Sequence, residues 1–404
     1  MKLRLIVLVG CIAAVSSLLC WAVQKVSQPK PGQRPTDKAQ LDKTKAARRQ
    51  LAEALVKQDA KLIAAAEGEF RKSLGVYAGV PEDEEDLRPK DTPAPRPTKA
   101  DFEKLTRNMA TLASGSENAK KNRMELRNAA YLAIGLLAMA EADLPDAAAY
   151  RKQAAVELDY LISKQAPEGF FPYPADPVAP PHLRKAAAQA AKEHPDKVKD
   201  GFIYLDADGA QFDAGCCAHA LSYGYQLLKE ERFLKAAQKA GDWALANPLS
   251  VNWNYNSFSV WQLAKLYDVT KEKKYLDGAV RIARLGVLPG QMDNGRWSDQ
   301  HNAKRVYHWI IVRGLVALLR VVPEDHADRK WVVEKTTLAI NSRVDDTLRD
   351  GGGKEVDASV ALAEALDLFG PNERWEKALT QTGGVSPYSA GVFARSSAAA
   401  KGKK

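Results

Sequence analysis

The sequence predicts an all-α protein: an (α/α) toroid of five to six helical hairpins, preceded by an N-terminal membrane segment and a helical stalk. Three observations predict it. Beyond residue 100, five segments repeat one plan: an inner helix of small and apolar residues, a tight polar turn, and an outer helix with one charged face. They recur at intervals of roughly 40–50 residues after the second, the mark of a repeat architecture. The inner segments are apolar or small on nearly every face, so each needs neighbours on all sides. A closed ring of inner helices inside a ring of outer ones supplies them.

The inner helices are expected over residues 129–140, 215–228, 258–267, 306–319 and 358–369. Residues 143–146, 229–232, 268–274, 323–328 and 370–373 carry the Pro, Lys and Glu clusters that break helices. The outer helices follow from Ala147, Phe233, Tyr275, Arg329 and Trp375. Residues 101–126 would add a divergent sixth pair. The toroid is therefore placed at 101–385, with a disordered Ala-, Ser- and Lys-rich tail over 386–404.

Lys2 and Arg4 precede residues 5–23, which carry no charge. That run approaches the ~20 residues needed to span a bilayer. It reads as an uncleaved signal anchor over 1–24, with a cleaved signal or a lipoprotein as the alternative. The location implied is extracytoplasmic and membrane-anchored, or secreted after cleavage. Residues 25–100 hold a Pro-rich tether, a charged helix over 37–70 and a linker. The helix carries only a thin stripe, Leu41, Leu51, Leu55 and Leu62, which suits a stalk or a surface helix. The linker, residues 81–98, combines an acidic run with prolines and cannot bury enough surface to fold.

Lysine and arginine exceed aspartate and glutamate, 59 to 50, for a net charge of +9. The excess is spread along the chain. Basic clusters with interleaved aromatics are absent, which excludes a nucleic-acid surface. A diffuse positive field fits an acidic polymer or an anionic envelope surface. Of four cysteines, Cys11 and Cys20 lie in the apolar leader. The adjacent Cys216 and Cys217 form no disulfide framework and read as small buried helix residues.

In such a ring the tight turns gather at one end. The longer links, residues 165–212, 247–256, 289–305 and 343–357, gather at the other, and aromatic and polar residues crowd there. That end is the expected cleft. Its centre is the stretch 291–319, a Gly- and Asp-rich loop leading into an interior helix.

Gln165-Ala-Pro-Glu-Gly169-Phe-Phe171 and Gln291-Met-Asp-Asn-Gly295-Arg-Trp297 both read Q-x-x-x-G-x-aromatic at the end of an outer helix. The pattern resembles the QW-type repeat of terpenoid cyclases and protein prenyltransferases. Residues 263–283 are similar to hairpins of six-hairpin glycosidases and toroidal polysaccharide lyases, and residues 169–173 to loops of toroidal pectate lyases. The resemblance covers roughly residues 125–370 and implies the α/α-toroid fold, with carbohydrate or isoprenoid chemistry. The cyclase DxDD acid is missing, with Asp206-Ala-Asp208 only a fragment of it. Tyr307-His308 looks like the prenyltransferase Tyr-His pair, but Asp213 and Cys216 have the wrong spacing for its zinc set. No metal and no cofactor are expected.

An imidazole exchanges protons near neutrality, so His301 and His308 are candidate acid–base groups. With a uronate polymer, β-elimination would take His or Tyr as base, Asn302 or Arg313 to neutralise the carboxylate, and Tyr307 or Tyr255 as acid. Toroidal lyases use such residue types. Asp206, Asp208, Asp213, Asp293 and Asp299 fall on the expected cleft end, and two of them would form a glycosidase carboxyl pair. Asp299 and Asp213 are the candidates for catalysis, although Asp213 also suits a helix N-cap. Trp253, Tyr255 and Trp297 would stack on sugar rings, or pack the toroid mouth. His308 would otherwise be a hydrogen-bonded core histidine. The expected function is an envelope-anchored polysaccharide lyase or glycoside hydrolase with a glycan partner. A non-catalytic glycan- or protein-binding toroid and an isoprenoid enzyme are the alternatives.

Overall fold

A computed structural model describes residues 38–75, 78–79, 124–142, 146–175, 179, 184–350, 356–382, 386, 388–389 and 391–392. The apolar leader, the tether, the 81–98 linker, residues 101–123 and the tail beyond 392 lie outside the described residues. No described helix is long and apolar enough to cross a membrane.

The expected inner helices form, each starting one to five residues earlier than the sequence suggests. They are α3 (Leu126–Glu141), α6 (Ala210–Leu228), α8 (Trp253–Thr270), α11 (Arg305–Leu319) and α13 (Val356–Phe369). Each packs against the next in sequence, α3 on α6, α6 on α8, α8 on α11 and α11 on α13. Their outer partners are α4 (Ala147–Lys164), α7 (Glu231–Ala246), α9 (Lys273–Gly286), α12 (Arg329–Asp350) and α14 (Glu373–Gln381). The outer helices are two-faced: α9 buries Tyr275, Leu276, Ala279, Val280, Ile282 and Ala283 and turns its lysines and aspartate to water. Two of the tight turns reverse through a lysine in the left-handed region, Lys229 (φ 58°) and Lys271 (φ 59°). Their N–H groups cap the carbonyls of Tyr225 and Tyr267.

The ring closes through a segment that the sequence reading assigned to the tail. Tyr388 stacks on Tyr131 of α3 with ring centroids 5.5 Å apart. Gly391 lies against Gly135 and Ala138 of the same helix. Tyr388 and Gly391 thus pack on α3, Tyr388 and Val392 line one cavity with Glu364 and Asp367 of α13, and the toroid extends past residue 385.

The 37–70 region is no stalk. It forms a hairpin, α1 (Lys38–Lys57) and α2 (Ala60–Leu74), and Leu51, Leu55, Ile63 and Phe70 join the main core. The hairpin is pinned to the long-loop end. Arg71 donates to the Pro289 and Gln291 carbonyls, and Arg281 to the Gln58 amide. The 165–212 link also holds elements that periodicity did not announce: β1 (Tyr173–Pro174), helix α5 (Arg184–Glu193), β2 (Val198–Lys199) and β3 (Phe202–Ile203), the strands antiparallel in the order β1-β3-β2.

The two Q-x-x-x-G-x-aromatic loops have one physical job. Gln165 Nε2 donates to Gly169 O (3.0 Å) within its own loop and to Ala236 O (2.9 Å) on the next outer helix, α7. Gln291 Nε2 does the same with Gly295 O (3.3 Å) and Lys335 O (2.9 Å) on α12. Each glycine has positive φ, 116° at Gly169 and 82° at Gly295. A Cβ would stand 2.4 Å from Lys239 O in the first case and 2.6 Å from Leu338 O in the second. The aromatic that follows, Phe171 or Trp297, is buried. The motif staples consecutive outer helices around the ring. Gly169→Ala is expected to cost about 3 kcal/mol, from backbone strain plus the clash. Chemical denaturation followed by circular dichroism measures it, and a loss below 1 kcal/mol would refute the staple.

Candidate active site

Described parts of the long links meet at one end of the ring: Gly209 lies under Tyr255, Asn302 bonds Asn254, and Arg296 pairs with Asp346. From α9 the chain makes a turn at Leu288–Gly290, pairs Gln291 with Trp297, and enters the short helix α10 (Gln300–Ala303). Asp299 caps α10 by accepting from Asn302 N at 2.8 Å, and it also accepts from Asn302 Nδ2 at 2.9 Å. Asn302 Oδ1 in turn accepts from Asn254 Nδ2 at 2.8 Å, tying the loop to the first turn of α8. The imidazole of His301 lies flat on the Tyr307 ring, 4.0 Å between centroids. Asp299, His301, Asn302 and Tyr307 therefore form one polar group at the rim.

A residue that the sequence reading passed over completes this group. Glu67 of α2 is 3 % exposed, sits 3.0 Å from Arg71 Nε, and faces Ser298 and Asp299. Burial raises its carboxyl pKa to about 7, against the opposing pull of Ser298 and Arg71. Its Oε2 is buried without a hydrogen-bond partner. His301 is moved the other way: burial lowers it to about 4, with Asp299 opposing and Lys304 and Arg48 assisting. Its Nε2 also lacks a partner. Near neutral pH the rim thus offers a carboxyl balanced between its two forms and an uncharged imidazole. The signal for Glu67 was present: it falls on the apolar stripe Ile63–Glu67–Phe70, where a carboxylate is out of place.

Other expected site residues lie elsewhere. His308 is fully buried, with Nε2 2.9 Å from Ala339 O and Trp297 edge-on at 5.1 Å. Burial holds it well below the usual imidazole range, so it is the core histidine of the bland alternative. Asp213 is neither cap nor rim acid. Gly209 is the N-cap of the helix, and Asp213, one turn in, makes a two-point pair with Arg127 at 2.9 Å. Arg313 is 1 % exposed, packed 4.1 Å from the Trp261 ring and paired with Asp357. It reaches no rim ligand. Trp253 and Trp297 have no exposed surface, and Trp297 Nε1 is held by Val287 O at 3.0 Å. Tyr255 is 4 % exposed and packs over Gly209. The inner helices begin earlier than expected, which turns Trp253 and Tyr255 from loop residues into packed first-turn residues. These three aromatics offer no face for a sugar in this conformation. Among the described residues, no group of three His, Cys, Asp or Glu side chains could hold a metal ion.

No protein-family model and no curated protein matches the sequence. Among solved structures the chain is similar to a polysaccharide lyase, with 14 % identity over 72 % of this chain and 99 % of that one, at a TM-score of 0.46. It is also similar to a glycosyl hydrolase of family 88 from Bacteroides vulgatus: 10 % identity, 74 % and 98 % of the two chains, TM-score 0.47. For a cellobiose 2-epimerase from Spirochaeta thermophila the values are 10 %, 68 %, 87 % and 0.45. At these identities the likeness concerns fold alone.

Proposed function

We propose that the chain is a carbohydrate-active enzyme, a glycoside hydrolase that cleaves polysaccharide at the long-loop rim with Glu67 and Asp299 as its carboxyl pair. The observation that carries this reading is the placement of Glu67 against Ser298 and Asp299, beside His301 and Tyr307. Glycoside hydrolysis needs one carboxyl group to donate a proton to the leaving oxygen and one carboxylate to assist water or attack the sugar. Buried Glu67 suits the first role. Asp299, held as acceptor by both nitrogens of Asn302, suits the second. Because Glu67 is buried, a sugar enters only when α1 and α2 lift. Their return over the substrate then completes the site and excludes water. Residues 5–23 would anchor the enzyme at the cell envelope, facing its glycan.

β-Elimination is the second reading. The neutral His301 stacked on Tyr307 supports it. The burial of Arg313 with Asp357 weighs against it, since that pairing removes the expected partner for a uronate carboxylate.

The test uses the full chain on acidic and neutral polysaccharides. Hydrolysis releases reducing ends without the ultraviolet absorbance of an unsaturated uronide, and Asp299→Asn lowers the rate at least 100-fold. Unsaturated products would move the reading to a lyase. No product from any polysaccharide would leave a non-catalytic toroid.

A further inference from the structure

We infer that the lumen of the ring, at the end opposite the rim, is a binding site for a neutral disaccharide. A cavity of about 380 Å³ opens there, within the size range of small-ligand sites. It is framed by the C-terminal halves of all five inner helices and by Tyr388 and Val392. The rim residues sit at the other ends of these helices, so the two places are distinct and the inference stands apart from the rim proposal.

The floor is flat and rigid. His219 lies parallel on Trp261 at 3.7 Å and 12°. The guanidinium of Arg313 lies 4.1 Å from the Trp261 ring and is itself fixed by Asp357. An imidazole backed by this column is preorganised to meet the apolar face of a sugar ring, and Tyr223 and Tyr388 add aromatic walls.

The walls are acidic. Glu141, Asp268, Glu364 and Asp367 face Lys265 and Arg320. Both cations are engaged by acids: Lys265 with Asp268 at 3.2 Å and Arg320 with Asp367 at 2.9 Å. Glu141 accepts from the Tyr223 hydroxyl, and Lys265 donates to the Gln226 amide. The carboxylates outnumber the cations, so a uronate would be repelled, while sugar hydroxyls would find acceptors. This end of the molecule therefore disfavours the anionic ligands that its overall positive charge attracts.

Titration calorimetry on the full chain tests the inference, with cellobiose, maltose and lactose as neutral probes and digalacturonate as the acidic one. At least one neutral disaccharide is expected to bind one-to-one, at least tenfold tighter than digalacturonate. His219→Ala and the isosteric Glu364→Gln should each weaken it about tenfold, with thermal melts confirming folded protein. Asp299→Asn, at the rim, should leave it unchanged. The inference is overturned if no neutral disaccharide binds, if digalacturonate binds as well, or if binding follows Asp299 and ignores both lumen variants.

Discussion

Asp357→Ala is expected to lower the stability of the chain by roughly 3–5 kcal/mol, the usual cost of leaving a buried charge without its partner. Arg313 is enclosed by the rings of Tyr131, Phe258, Trp261 and Tyr388, and its carboxylate partner is Asp357. The Tyr131 hydroxyl stands 3.4–3.5 Å away, too far to replace a carboxylate. With the aspartate gone, a guanidinium with 1 % exposure keeps its desolvation cost and loses its main compensation. The ring contacts offset part of this, since a desolvated cation over an aromatic face gains about 2 kcal/mol. Urea unfolding of the two proteins gives the difference. A loss under 1 kcal/mol would mean that the aromatic cage alone holds the charge. The double variant Arg313→Met with Asp357→Leu should recover much of the lost stability, because a well-packed apolar replacement removes both charges at once.

The second large effect falls on activity. Glu67→Gln should lower turnover by roughly 10²–10⁴-fold, the range for a lost general acid, while the protein stays folded. The same carboxyl sets a pH dependence. Its pKa rises from the ordinary 4.5 to about 7 on docking, so the docked hairpin holds the proton more tightly than the free one. The stabilisation is complete below pH 4.5 and is lost as pH climbs from there through 7. The span corresponds to roughly 3 kcal/mol. Activity should therefore fall on the alkaline side with an apparent pKa near 7, as the acid loses its proton. Proteolysis between α1 and α2 should quicken over the same interval. Glu67→Gln has no proton to lose, so its hairpin should resist protease equally at pH 5 and pH 8. If elimination by His301 were the reaction instead, the limb would lie on the acid side, near 4. A profile flat from pH 5 to 9 would remove Glu67 from the mechanism.

Much of the architecture was legible because inner and outer helices differ in kind. α3, α6, α8, α11 and α13 are apolar or small on nearly every face, and α7 and α9 have one apolar stripe each, so hydrophobic period alone separates them. The common rim followed from the unequal lengths of turns and links. Placement of individual side chains was harder. Trp253 and Tyr255 were read as loop residues because the polar, Asn-rich 247–256 stretch hid a helix start, and Asp213 was read as a cap although α6 begins before it. Asn252 caps α8 immediately before Trp253, and that single residue would have moved both aromatics inside. His308 and Arg313 are polar residues on an apolar helix, and composition does not reveal whether such a residue faces a cleft or a buried partner. Glu67 was missed because its helix was judged on leucines alone. Its neighbours Ile63 and Phe70 fix the buried face, and Arg71, one turn on, supplies the partner.

The contact of Tyr388 with Tyr131 joins residues 257 positions apart in the chain. Until the later tyrosine is synthesised, the earlier helices are a horseshoe whose two ends, α3 and α13, expose alanine and leucine flanks to water. A nascent chain halted before residue 388 should be retained by chaperones and seized readily by proteases, and one extended a few residues further should be released. Assembly of this molecule is thus timed by the helical turn at Tyr388, which acts as the clasp on a bracelet already formed.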